Sequence, residues 1–163
     1  MQTEPESFKT VITGYLFKYL DQFRKNLEKS IEEYDPEAIH EYRVSVKRIR
    51  AVIRMLNRIY DDPVVPMKMI QPLRLMFKAG GTIRDDQVQI GLVEDIEKKS
   101  GLSFPLIKRF YFKRIEDQRD DFFLKSIDFD LDFTHVLHRQ IEGLLEPLDE
   151  RSLEHELYRR LYE

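Results

Sequence analysis

His40-Glu41-Tyr42-Arg43-Val44-Ser45-Val46-Lys47-Arg48-Ile49-Arg50-Ala51-Val52-Ile53-Arg54-Met55-Leu56-Asn57-Arg58 carries two patterns at once. The first is basic: His40, Arg43, Lys47, Arg50, Arg54 and Arg58 recur at steps of three and four residues. At about 100° per residue they fall within an arc of roughly 80°, a stripe about 27 Å long. The second is apolar: Tyr42, Val46, Ile49, Val52, Ile53, Leu56, Ile59 and Tyr60 fill a wide arc behind the stripe. An apolar arc backed by a charged one marks an amphipathic helix lying on a core, with its cations turned outward. Like charges three and four residues apart repel by a few tenths of a kcal/mol per pair. Such a helix expects something negative along it, and an extended polyanion fits that shape.

The flanks of this segment define the helix. Asp35 can cap it, Pro36 suits its first position, and Glu37 complements the positive helix end. Asp61, Asp62 and Pro63 stop it. Glycine is scarce, at six in 163 residues, and no stretch sustains the alternation of a strand. Helices are therefore expected almost throughout.

The first should run from Glu6 to Glu33, with Phe8, Val11, Ile12, Tyr15, Leu16, Tyr19, Phe23, Leu27 and Ile31 inward. A third, from Pro66 to Lys78, should be kinked or split by Pro72 and ended by Gly80 and Gly81. A fourth, from Thr82 to Ser100, should bury Val88, Leu92 and Ile96. Gly91 in its interior invites a close helix crossing. A fifth, Phe104 to Ile127, is rich in aromatics, including Phe110, Tyr111, Phe112 and Phe122. Asp128 to Asp132 is an acidic connection, followed by helices over Phe133–Leu145 and Arg151–Tyr162. Short connections between long amphipathic helices predict an all-α antiparallel bundle in one domain.

Net charge is only −3, so anion binding must come from local clustering and not from a global field. Without cysteine, disulfides and thiol chemistry are excluded, and a reducing compartment is expected. Residues 1–6 lack a signal peptide's layout, and no apolar run reaches the ~20 residues of a membrane span. These features predict a cytoplasmic protein with no membrane partner.

Thr82-Ile83-Arg84-Asp85 reads as a capping box, which gives Asp85 a structural role. Arg84 in a first turn is unusual and can point at the same anion as the stripe. Arg74 and Lys78 can extend the positive surface, although cations also suit a helix C-terminus. His135, His138 and Glu142 have metal-ligand spacing, but chance helix pairs of this kind are common. No phosphate loop, HExxH or nucleophile motif is present. Asp85 and Asp86 are the sole acidic pair near the stripe, too few for a dedicated metal-dependent hydrolase.

His40-x-x-Arg43-Val44-x-x-Lys47-Arg48-x-Arg50, followed by Gly81-x-x-Arg84-Asp85-x-x-Val88, resembles the CHAD domain, the conserved histidine α-helical domain, over about residues 36 to 96. The resemblance implies two similar four-helix halves around a basic surface that binds inorganic polyphosphate. It carries over to His40, Arg43, Lys47, Arg48, Arg50, Arg84 and Asp85; Arg54 and Arg58 extend the stripe on geometry alone. By the helical wheel Arg48 points away from it. A second histidine-and-arginine helix is expected of the family, but His138-Arg139 lacks the cations that should follow. The chain thus resembles one complete half, residues 1–100, plus a divergent or shortened remainder, 101–163. Either the binding surface is one-sided and weaker, or association of two chains about a two-fold axis restores a two-halved groove.

The expected function is non-catalytic binding of polyphosphate or a similar phosphate-rich anion through His40, Arg43, Lys47, Arg48, Arg50, Arg54, Arg58, Arg74, Lys78 and Arg84. Asp85 orients, and neither metal nor cofactor takes part. An acidic protein or a nucleic acid is the alternative partner. Nucleic acid is disfavoured because Tyr42 and Tyr60 lie on the buried side, away from the stripe. A metal-dependent phosphohydrolase using Asp85 and Asp86 is the third reading.

Overall fold

The computed structural model describes residues 7–33, 35–59, 63–149, 155, 158 and 159. Tyr60, Asp61, Asp62 and most of the helix expected over Arg151–Tyr162 lie outside them. Among the described residues six α-helices follow in order: α1 Phe8–Glu32, α2 Pro36–Ile59, α3 Gln71–Ala79, α4 Gly81–Ser100, α5 Pro105–Ile127 and α6 Phe133–Leu145. No strand occurs among the described residues. The chain is an all-α helical bundle.

Helices α1 and α2 form its spine. Ser7 caps α1 by accepting from the Thr10 amide, and Asp35 Oδ1 accepts from the Glu37 amide at 2.8 Å at the start of α2. Lys29 of α1 pairs with the same carboxylate, so one side chain caps α2 and ties it to α1. Both contacts favour the ionised form and hold Asp35 below the usual carboxylate range, the lysine contributing most. Tyr42, Val46, Ile49, Ile53 and Leu56 of α2 are buried in one core with Leu16, Leu20, Phe23 and Leu27 of α1. Each such side chain contributes about 1.5–3 kcal/mol on burial. Val11, expected inward, is half exposed.

Pro72 does divide the third segment. Met67–Ile70 forms a single 3₁₀ turn, and α3 begins at Gln71 with Pro72 in its first turn. There proline's missing N–H costs nothing.

The start of α4 differs from the expected capping box. The helix begins at Gly81, with Gly80 as its cap. Thr82 is an exposed residue inside the first turn, and no side chain caps the end. Gly80 has φ −85°, so left-handed backbone is not why glycine stands here. Space is the reason: a Cβ on Gly80 would lie 1.6 Å from the Tyr42 hydroxyl. The α3–α4 corner sits directly on that ring, whose hydroxyl donates to the Met76 carbonyl at 3.4 Å.

The inward face of α4 also differs. Ile83, Asp86 and Ile90 are buried, whereas Val88, Leu92 and Ile96 are exposed. Periodicity identifies an apolar stripe but not which of two stripes meets a neighbour. Here the Ile83–Asp86–Ile90 face turns to α5, because Asp86 accepts from Gln118 Nε2 at 3.0 Å and pairs with Arg114 Nε at 3.2 Å. Gly91 has open space where a Cβ would stand, so no close crossing occurs there. Phe110 and Phe112 of α5 are exposed, and Phe122 and Ser126 are its buried residues.

Asp86 therefore locks α4 to α5. Asp86→Ala should cost about 2 kcal/mol by leaving the Gln118 amide unpaired. Half-exposed Arg114 rehydrates and adds little. A urea midpoint reads this loss. An unchanged midpoint would mean that apolar packing alone holds the hairpin.

Candidate functional site

The buried face of α2 dictates where its cations go. With Tyr42, Val46, Ile49 and Ile53 inside, Lys47 and Arg54 are exposed and His40, Arg43 and Arg50 are half-buried. Arg58 continues the exposed line in the last turn. Among the described residues no carboxylate lies within ion-pair distance of Arg43, Lys47, Arg50, Arg54 or Arg58. On the same stripe His40 Nε2 is 4.0 Å from Glu41 Oε1.

Tertiary packing adds cations from two more helices. Arg74 of α3 lies close enough to Arg50 to act on its charge, as does Arg54. Burial pushes the Arg50 pKa down first, and these two neighbours push it further the same way. Among the described residues no acceptor meets the buried Arg50 Nε. Arginine keeps its proton at neutral pH, so the guanidinium stays charged beside these two cations.

Arg43 is held more tightly. Its guanidinium donates to the Phe77 carbonyl and stacks 4.2 Å from the centre of the Phe77 ring. Burial lowers its pKa; Asp85 of α4 opposes that shift and Arg84 adds to it. Arg43 is thus both the anchor of the α3–α4 corner and the point where Arg84 and Asp85 join the stripe. Arg84 also contacts Gln87 Oε1 at 3.4 Å. The Lys47 ammonium stands 6.0 Å from the same Phe77 ring. Phe77 of α3 is partly buried and serves as the platform beneath two cations. Nothing in its spacing marks that role, because the ring meets α2 only through the fold.

One expected site residue lies elsewhere: Arg48 faces α1, where it acts on Tyr15, away from the line of His40, Arg43, Lys47, Arg50, Arg54 and Arg58. Lys78, one turn on from Arg74 along α3, lines a groove with Thr82 of α4 and Asp121 and Lys125 of α5.

Asp85 and Asp86 do not face the same way. Asp85 and Asp86 diverge by about 100° around α4, and Asp86 is buried in its contacts with Arg114 and Gln118. His138 packs edge-on against Phe17 of α1. His135, His138 and Glu142 do not gather as a metal-ligating group. Among the described residues the one trio close enough to share an ion is Glu37, His40 and Glu41.

An all-α bundle with a strip of cations along one helix is the class that fold and site define. The family model for the CHAD domain matches residues 14–159. The chain belongs to the CHAD domain family, which is linked to polyphosphate binding. The match extends well beyond residues 36 to 96, so the C-terminal part is also recognisable despite its missing cations. No curated protein and no solved structure matches the chain. Among the described residues no helix is long and apolar enough to cross a membrane.

Proposed function

We propose that the chain binds inorganic polyphosphate along the α2 strip, in the cytoplasm and without catalysing a reaction. Residues 1–100 supply the binding half of a single domain, and residues 101–163 are a divergent remainder that braces it. The observation that carries the reading is the convergence of cations from α2, α3 and α4, where among the described residues Arg43, Lys47, Arg50, Arg54 and Arg58 have no carboxylate at ion-pair distance. A linear polyphosphate presents an anionic group every few ångströms, and arginine forks engage such oxygens bidentately. Arg50, Arg54 and Arg74 grip one segment, with Lys47 beside them. Arg43 and Arg84 hold another, with Asp85 keeping Arg43 charged and oriented. In this reading two copies associate, so that one polymer reaches two strips.

An acidic protein or a nucleic acid would use the same cations. The Phe77 ring is already occupied by Arg43, which removes it as a platform for base stacking. The divergence of Asp85 and Asp86 argues against the phosphohydrolase.

Calorimetric titration with polyphosphate near physiological salt tests the proposal. Wild type should bind, and Lys47→Glu with Arg50→Glu should weaken binding at least 100-fold while circular dichroism stays unchanged. Folded wild type that fails to bind would overturn it.

A further inference from the structure

Helix α4 carries a second apolar face, opposite the one that packs on α5. Val88, Leu92 and Ile96 on it are 43%, 52% and 53% exposed. With Asp85 and Lys99, both also exposed, they make the series Asp85, Val88, Leu92, Ile96, Lys99. At about 100° per residue all five lie within an arc of roughly 80°. The buried residues Ile83, Asp86 and Ile90 centre on the far side.

The series has a symmetry of its own. Taking Leu92 as centre, Val88 and Ile96 stand four residues to either side, and Asp85 and Lys99 stand seven to either side. The inner pair is apolar and the outer pair is opposite in charge. A helix with this order complements itself when turned end for end. Leu92 would meet Leu92 of a second copy at a two-fold axis. Val88 would meet the second copy's Ile96, and Asp85 would meet its Lys99. The three-and-four spacing is that of an antiparallel two-helix seam, and each copy contributes the same patch, as an isologous dimer demands.

We propose that the chain forms a homodimer through antiparallel packing of α4 against α4 of a second copy. This names the surface for the two-copy association proposed above and rests on that association, not on polyphosphate. An unrelated protein would have no reason to find a charge order matched to the helix's own reversal. The seam is narrow for a specific interface, so the dimer should dissociate on the order of 10 μM.

The cysteine-free chain makes a clean test. Sedimentation velocity without polyanion should show a monomer–dimer equilibrium over about 1–200 μM. Leu92→Glu should be monomeric throughout, with unchanged helicity. Leu92→Cys should cross-link under mild oxidation, because two cysteines at the axis come within disulfide reach. Glu94→Cys, about 200° around the same helix, should not. Lys99→Glu should weaken the dimer roughly tenfold, and adding Asp85→Lys should restore it. Monomeric wild type at all concentrations, or equal cross-linking at both cysteine positions, would overturn the proposal. Polyphosphate titration of Leu92→Glu is read separately: lost dimerisation with retained binding separates the two proposals.

Discussion

Gly80→Ala should destabilise the protein by about 3 kcal/mol, large for one methyl group. The added Cβ would sit 1.6 Å from Tyr42 Oη and 2.8 Å from Cζ, inside any tolerable contact. Relief by moving the ring is blocked. Tyr42 is fully buried, stacked 6.3 Å from Phe122 and edge-on at 6.0 Å to Phe23. Shifting the corner instead would break the Tyr42 bond to Met76 and drag Phe77 from beneath Arg43. Urea unfolding followed by circular dichroism measures the loss. Tyr42→Phe in the same chain should recover part of it by removing the hydroxyl. That recovery shows as non-additivity in the double-mutant cycle. A loss under 1 kcal/mol would mean that the α3–α4 corner can slide on α2. Gly81→Ala should be milder, since its Cβ would come no nearer than 3.1 Å to a neighbour, Arg43 Nη1, against 1.6 Å at Gly80.

Polyphosphate affinity should fall by about a thousandfold between 50 and 200 mM salt, if some six cations displace counterions as on nucleic acids. Titrations at several salt concentrations give the slope, which counts the cations engaged. Removing Arg54 and Arg74 together should lower the slope by about two. Arg48→Ala should leave it unchanged, because that side chain faces Tyr15 on α1. A flat salt dependence would point to binding by shape or hydrogen bonding and away from the strip.

Much of this was legible in the residue order. Strong periodicity with clear flanking signals gave α2 its bounds, because each rule there pointed the same way. Pro72 marked its break for the same local reason. The stripe followed from covalent spacing alone. Its partners from α3 and α4 did not, since Arg74 reaches Arg50 only once α3 is folded onto α2. Gly80 does end α3, as its position predicts, but the fold adds a demand that no local signal carries, room for a distant ring. On α4, periodicity revealed one apolar stripe and misassigned its direction. A second inward face, built partly from a buried aspartate, competes with it and wins through Arg114 and Gln118.

Local order by itself determined the helices, the exposure of the α2 cations and the family, because these depend on residues within a few turns of one another. Only the tertiary structure decided which cations share a surface, which glycine is irreplaceable and which face of α4 remains open. Those outcomes depend on contacts between residues far apart in the chain, such as Tyr42 with Met76, 34 positions on, and Asp86 with Gln118, 32 positions on. No repeat along the chain encodes them.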